Sequence, residues 1–488
     1  MDRVTGSSAN LPIAVLADNH TSLMHGWVPV VTQAVAAVLL VMAVGRRSRR
    51  WRMTSLPLAA VLGAAIAATA HWYIENRGLA DDPAPDLLWW WIAGTGASAV
   101  VVVAGWRTAR WWRRSAALLS VPLCLLSAAL TLNLWVGYFP TVQTAWDQLT
   151  EGPLPHQADA AAVASMAAAG LRPAHGIVLS VTIPEDASHF KHRGEVVYLP
   201  PAWFASSPPP PLPAVMMIGG EFNTPGDWLR AGNAAKTIDD LAATHGGNAP
   251  VFVFVDSGGA FSNDTECVNG TRGNAADHLT KDVVPFMISR FGVSAQAANW
   301  GVVGWSMGGT CALDLTVMHP ELFSSFVDIA GNLGPEAGTK AQTIARLFGG
   351  NPGAWASFDP ATVIAKHGRY RDVSGWFDVS SSTPAKHHHG ISVTGAGDTR
   401  LAGSEAASSG DQAGAAESLC ALGRANGINC TIVAQPGKHD WPFASSAFAA
   451  ALPWLAGRLE TPGVLKIPSP PAWEPAAGSG PRGEPIGR

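Results

Sequence analysis

Apolar positions follow two different rhythms along the chain. Up to Phe139 they form four nearly continuous runs, Trp27–Gly45, Thr54–Ile74, Leu87–Trp106 and Ala116–Phe139. Each is close to the roughly 20 residues that an α-helix needs to cross a bilayer. Beyond residue 175 the apolar runs shorten to strand length: GIVLSVTIP (176–184), GEVVYLPPAWF (194–204), AVMMIGG (214–220), PVFVFVD (250–256), NWGVVG (299–304), SFVDIAG (325–331), ISVTGAG (391–397) and CTIVAQPG (430–437). Helical patterns such as AADHLTKDVVPFMISRF (275–291) lie between most of them. Strands alternating with helices predict an α/β domain with a mostly parallel sheet covered on both faces. The expected organisation is an all-α, four-helix transmembrane domain over 1–139 and a Pro- and Ala-rich connector over 140–175. An α/β domain follows over 176–460, and a Pro- and Gly-rich disordered tail over 461–488.

The polar residues between the apolar runs set an orientation. RRSRRWR (46–52) carries five arginines and RTARWWRR (107–114) four, whereas the middle connection ENRGLADDPAPD (75–86) is acidic with one arginine. Short arginine-rich loops stay in the cytoplasm. Both termini and the α/β domain are therefore expected outside, with tryptophans at the span ends as interfacial belts. The spans contain no Asp, Glu, Lys or Arg, only Gln33, His71 and Asn133 as notable polar side chains. Transporters place ionisable groups at that depth, so an anchor is expected and not a conduit. Residues 1–26 lack the basic start and apolar core of a cleavable signal peptide.

Overall composition changes this picture little. Charged residues make up 14% of the 488 residues, against ~25% in ordinary soluble domains. A net charge of −4 gives no reason to expect a nucleic-acid partner. The sequence sets no oligomeric state.

Candidate chemistry centres on GVVGWSMGGT (301–310), where Ser306 stands in the pattern G-x-S-x-G. With 51 glycines in the chain the pattern alone says little, but its context says more. NWGVVG precedes it as a strand, Met307 to Met318 follow as a helix, and Gly304, Gly308 and Gly309 let a strained turn close. A serine nucleophile needs a base, and the base an orienting acid. In the order Ser…Asp/Glu…His, Asp398 directly after ISVTGAG and His439 in the loop after the last strand are the expected partners, with Glu405 and Asp411 as nearby alternatives for the acid. The triple histidine His387–His389 has no matching ligand cluster, so neither metal nor cofactor is expected.

Residues 176–455 resemble the putative-esterase family of α/β hydrolases, which includes esterase D, feruloyl esterases and the antigen-85 mycolyltransferases. The resemblance rests on VVYLPPAWF, ISRFGVS before the elbow, GWSMGGTCAL, HPELFSSFVDIAG and KHDWPF, similar to a mycolyltransferase His-x-Trp. It implies an α/β-hydrolase fold and the triad Ser306, His439 and Asp398. It also implies an oxyanion hole from the backbone N–H groups of Met307 and Glu221, with Gly220, Glu221, Trp305 and Trp441 at the substrate. Where the mycolyltransferases carry Leu-Asp-Gly-Leu-Arg, this chain reads Met217-Ile218-Gly219-Gly220-Glu221-Phe222, without the trehalose-contacting Asp and Arg.

The combined expectation is a membrane-anchored extracytoplasmic serine esterase acting on an ester of a membrane or envelope lipid. Acyl transfer in the cell envelope and a non-catalytic lipid- or protein-binding module are the alternatives. Glu221, Asp227 and Asp440 suggest an acidic opening suited to a cationic group, such as the amine of an aminoacyl ester on phosphatidylglycerol. An outside location also permits disulfides. Cys420 ends a helical run and Cys430 opens the next strand, so these two are expected to pair. Cys267 is expected to pair with Cys311 in the elbow helix, which leaves Cys124 free.

Overall fold

A computed structural model of the chain describes residues 21–24, 26–45, 48–77, 84–150, 152–381 and 411–470. They fall into two compact units: the first takes in the described residues up to Ala67 and from Pro85 to Gly152, the second those from Ala68 to Ala84 and from Pro153 onward.

The apolar runs of the first part fold as helices α1 (Trp27–Val44), α2 (Leu56–Arg77, entered through a π-helical turn over Trp51–Ser55), α3 (Asp86–Gly105) and α4 (Trp111–Val136). Among the described residues, four helical stretches are long and apolar enough to cross a membrane. Where α2 and α3 cross, small residues let the backbones approach, as in packed membrane helices. A Cβ at Gly63 would fall 2.4 Å from the Ala93 carbonyl oxygen.

The fourth helix differs from the expected span Ala116–Phe139 at both ends. It starts at Trp111 because Arg113 and Arg114 are good helix formers that also lie over aromatic rings, Arg113 over Trp112 at 4.9 Å and Arg114 over Trp106 at 5.6 Å. It stops at Val136 because Gly137 turns left-handed (φ 69°) and Asn133 folds forward onto the chain beyond it. The Asn133 amide donates to the Phe139 carbonyl (2.9 Å), and its oxygen accepts the Phe139 N–H (2.6 Å). The Gln33 amide donates to Thr131 Oγ1 at 3.2 Å.

The second unit holds the strands β1 (Ile177–Val181), β2 (Glu195–Leu199), β3 (Ala214–Ile218), β4 (Val251–Val255), a two-residue-strand hairpin β5 (Asn269–Gly270) and β6 (Gly273–Asn274), β7 (Trp300–Trp305), β8 (Ser325–Ile329), β9 (Ser374–Ser380) and β10 (Asn429–Gln435). Eight of them form one sheet in the order β1-β2-β4-β3-β7-β8-β9-β10. The β1–β2 and β2–β4 pairs are antiparallel, and every pair from β4 to β10 is parallel. Every residue of β3, β4, β7, β8 and β9 is buried, which explains why most of these strands read as unbroken apolar runs. This is the α/β-hydrolase architecture, with a mostly parallel central sheet and helices on its faces.

Three details differ from the sequence reading. The place between β8 and β10 is filled by Ser374–Ser380, a strand whose Ser, Gly and Asp content hides it; ISVTGAG and Asp398 lie outside the described residues. The connector carries two short helices, Val142–Leu149 and Ala160–Ala168, each with an N-cap side chain (Thr141 and Asp159). Residues 461–470 of the expected tail are among the described residues and pack on the domain. A Cβ at Gly457 would meet the Leu465 carbonyl oxygen at 2.3 Å, and the Thr431 hydroxyl donates to the Pro470 carbonyl at 2.9 Å. Its backbone carbonyls supply acceptors to side chains of the domain, which composition alone does not reveal.

Candidate active site

The site is built where β7 ends. Ser306 has φ 57° and ψ −124°, a strained conformation for a residue with a Cβ, between the last residue of β7 and the elbow helix Met307–Met318. Its N–H donates to the Ile329 carbonyl at 2.9 Å, which fastens the turn to the end of β8. The flanking glycines are required by space. A Cβ at Gly304 would stand 1.6 Å from the Gly308 carbonyl oxygen, and one at Gly308 would stand 2.4 Å from the Ile218 carbonyl oxygen. Strand β7, the elbow helix and the end of β3 therefore touch backbone to backbone.

His439 arrives from the opposite direction, at the end of the loop that follows β10. The next residue, Asp440, caps the final helix Trp441–Arg458 by accepting the Phe443 N–H at 3.1 Å. The histidine thus stands against a fixed helix start. Its Nε2 lies 2.9 Å from Ser306 Oγ, and its ring stacks on the Trp305 indole with centroids 4.2 Å apart. Burial pushes the imidazole down to about 4, because little water is left to solvate its charged form. At neutral pH it is an uncharged base next to a hydroxyl.

The other ring nitrogen meets a residue that sequence reasoning missed. Gln412, the first residue of the helix Gln412–Ala425, places its amide 2.9 Å from His439 Nδ1. That helix is capped by Asp411, whose carboxylate accepts the Gly414 N–H at 2.9 Å, so this alternative acid is engaged in a cap. Asp398, Glu405 and His387–His389 lie outside the described residues. The helix start after a predicted loop was the available signal for Gln412, but an amide is not a residue type that a search for acids would select.

The loop after β3 passes over the serine. A Cβ at Gly220 would lie 3.3 Å from Ser306 Cβ, so the glycine permits this approach. The Gly220 N–H donates to Asn223 Oδ1 at 2.6 Å, and the Asn223 carbonyl accepts from the Arg193 guanidinium at 2.9 Å. Arg193 is held in turn by a bidentate pair with the buried Asp256, at 3.0 and 2.7 Å. That pairing keeps the Asp256 carboxyl below the usual carboxylate range. Phe222 and Phe261, from two separate loops, meet with ring centroids 5.3 Å apart, and Phe261 is 63% exposed.

Several residues expected at the substrate stand elsewhere. Trp441 is 1% exposed and packs edge-on against Trp228 at 5.2 Å, a core position behind the histidine. Trp305 is also buried and reaches the site through its stack on His439. Asp227 is buried, with its carboxylate accepting the Thr224 N–H at 2.6 Å, and Asp440 is the helix cap described above. Two of the three carboxylates of the expected acidic opening, Asp227 and Asp440, thus accept local backbone N–H groups. Disulfides join Cys267 to Cys311 and Cys420 to Cys430, and Cys124 is a buried free thiol.

An α/β sheet carrying a strained elbow serine with a neutral imidazole at hydrogen-bond distance defines a serine ester hydrolase. Residues 191–455, more than half of the chain, match the Putative esterase family, and the protein belongs to it. An uncharacterized protein of Corynebacterium glutamicum is 29% identical over 342 residues, covering 67% of this chain and 76% of that one. Among solved structures, similarity extends to an S-formylglutathione hydrolase from Agrobacterium tumefaciens (17% identity, 59% of this chain, 97% of that chain, TM-score 0.45). It extends also to a ferulic acid esterase (15%, 58%, 99%, TM-score 0.44) and to MPT51 of Mycobacterium tuberculosis (18%, 57%, 99%, TM-score 0.39).

Proposed function

We propose that the protein is a membrane-anchored serine esterase whose catalytic domain faces outward and cleaves an ester carried by a membrane lipid. The observation that carries the chemistry is the 2.9 Å contact between Ser306 Oγ and His439 Nε2 at the elbow. His439 takes the serine proton as Oγ attacks the ester carbonyl. The negative charge that develops on the carbonyl oxygen is received by the N–H groups of Met307, at the helix N-terminus, and of Glu221. The imidazolium then gives its proton to the leaving alcohol, and water releases the acyl group by the same steps in reverse roles. Asp398, in the connection between β9 and β10, is the proposed acid for His439.

Several features support a lipid substrate at the outer face. Four apolar helices precede the domain, and the arginine-rich loops at 46–52 and 107–114 favour a cytoplasmic position for those loops. Two disulfides suit an oxidising compartment. The Phe222–Phe261 pair gives the rim an apolar surface suited to an acyl chain. Asp227 and Asp440 are each bonded to a backbone N–H, and the apolar Phe222–Phe261 pair favours a neutral lipid ester over an aminoacylated one as the substrate.

The test is hydrolysis by the purified full-length protein of a neutral diacyl ester and of aminoacyl-phosphatidylglycerol, each presented in the same phosphatidylcholine vesicles. Faster cleavage of the neutral ester, abolished in Ser306→Ala, supports the reading. A rate on the aminoacyl lipid that is higher, and that falls in Glu221→Gln, reverses the substrate preference. Full activity of residues 140–488 on vesicle-borne ester would remove the tethering role of the helices.

A further inference from the structure

Two histidines and a glutamate converge in the interior of the second unit, apart from the residues of the catalytic site. His192 precedes β2, Glu195 opens it, and His278 lies on the helical run after the β5–β6 hairpin. Their side chains are 4%, 0% and 0% exposed. His192 Nδ1 is 2.6 Å from Glu195 Oε1, and His278 Nε2 is 3.1 Å from the same oxygen. Glu195 Oε2, also buried, has no hydrogen-bond partner among the described residues.

The outward nitrogens of both rings decide what faces inward. His192 Nε2 stands 3.0 Å from the Ile183 carbonyl oxygen, so it carries a proton and donates. His278 Nδ1 stands 3.3 Å from Asp282 Oδ2, and that carboxylate is itself fixed by the backbone N–H groups of Ala187 (2.9 Å) and Ser188 (3.3 Å). Each outward nitrogen therefore meets an acceptor, one a backbone carbonyl and the other a carboxylate. These are the partners that orient metal-ligating imidazoles and fix their tautomers. In neutral rings so arranged, both inward nitrogens present lone pairs to a carboxylate oxygen. That juxtaposition is repulsive unless a positive charge, either a bound cation or a second proton on a ring, stands there.

We propose that His192 Nδ1, Glu195 and His278 Nε2 bind a divalent cation of the zinc class as a structural site. The ligand atoms lie within 4.8 Å of one another, and two imidazoles with one carboxylate are a donor set that zinc accepts. The Arg193 carbonyl oxygen, 2.7 Å from His192 Nδ1, is a fourth donor within reach. The ion would give the second carboxylate oxygen a partner and tie β2 to the helical run that carries His278. This revises the expectation that the chain holds no metal. The sequence signal was His192-x-x-Glu195, which lacks its third ligand until the fold brings in His278.

The experiment is metal analysis of the full-length protein, purified in detergent without chelators and dialysed against metal-free buffer. About one equivalent of zinc per chain is expected, released on unfolding in guanidinium and measured with a chromogenic chelator. Protein expressed in cobalt-supplemented medium should hold cobalt instead and show visible d–d absorption. Glu195→Gln and His278→Ala should each lower the zinc content at least tenfold. Because either variant could fail to fold, the wild-type chain is also refolded with and without zinc, and zinc should raise its melting temperature. A wild-type chain with less than about 0.1 equivalents of any transition metal, and no zinc-dependent change in melting, overturns the proposal. The cluster would then be a metal-free imidazolium–carboxylate group.

Discussion

The imidazole of His439 lies on the indole of Trp305, 4.2 Å between centroids and 29° from parallel, while its Nε2 meets the Ser306 hydroxyl. The residue before the proposed nucleophile thus forms the surface on which the proposed base rests. The same contact removes water from the ring and helps to hold its proton affinity down, near 4. Since the base works only when neutral, kcat/KM should remain high as pH falls below ~6.5, the ordinary imidazole value. Trp305→Ala should lower kcat by about 10- to 100-fold and move the acid limb of the profile upward, whereas Trp305→Phe should keep most of both. A profile unchanged in Trp305→Ala would separate the stack from the titration.

Ser306→Ala and His439→Ala should each reduce ester hydrolysis by about 10⁴-fold or more, with the double variant no worse than either single one. Asp398→Asn should cost less, and Gln412→Ala less again, because the amide orients Nδ1 without stabilising an imidazolium as a carboxylate does. Rates on a soluble chromogenic ester, with far-UV circular dichroism as a folding control, measure all five variants. If Gln412→Ala costs more than Asp398→Asn, the orienting group at Nδ1 is the amide.

The paired rings of Phe222 and Phe261 give the third prediction. If they receive the acyl chain, Phe222→Ala and Phe261→Ala should raise KM for long-chain esters several-fold and leave acetyl esters nearly unchanged, since each buried CH₂ contributes about 0.8 kcal/mol. A chain-length series of p-nitrophenyl esters is the measurement. Equal effects on acetyl and decanoyl esters would place the chain elsewhere.

Asp314 concerns stability. It is buried in the elbow helix, with neither carboxyl oxygen hydrogen-bonded among the described residues. Burial, and then the nearby Asp359 and Asp328 carboxyls, raise its proton affinity well above the ordinary carboxylate range. The folded state therefore keeps a proton that the unfolded chain releases above about pH 4, and stability falls as pH rises. Asp314→Asn removes this dependence. Its melting temperature should match wild type near pH 4 and exceed it at pH 8, as read by scanning calorimetry.

How much of this was legible in the sequence depends on residue chemistry. β3, β4 and β7 are buried on both faces and read as apolar runs, and the elbow glycines gave the turn its pattern. β9 escaped because its buried polar residues find partners only in the fold. Asp378 accepts from the Gln435 amide at 2.7 Å, a residue of the neighbouring strand, and Ser374 is met by the Arg458 guanidinium from the last helix. His439 could be found because chain order and loop position both point to it. The resemblance implies Trp441 at the substrate, but this residue opens the last helix with its indole in the core. Gln412 and the pairing of Glu195 with His278 depend on approaches between distant segments, which no local pattern encodes.

The glycine-to-carbonyl contacts at the elbow also bear on how this protein can change over evolutionary time. At Gly304 and Gly308 even one added methyl group would displace backbone, so the machinery tolerates almost no variation there. The rim obeys no such restriction. Phe222 and Phe261 project from loops, and Phe261 is largely exposed. If these two rings receive the acyl chain, as proposed, descendants of this sequence can exchange one acyl preference for another by substitutions there alone, while the reaction they catalyse stays fixed.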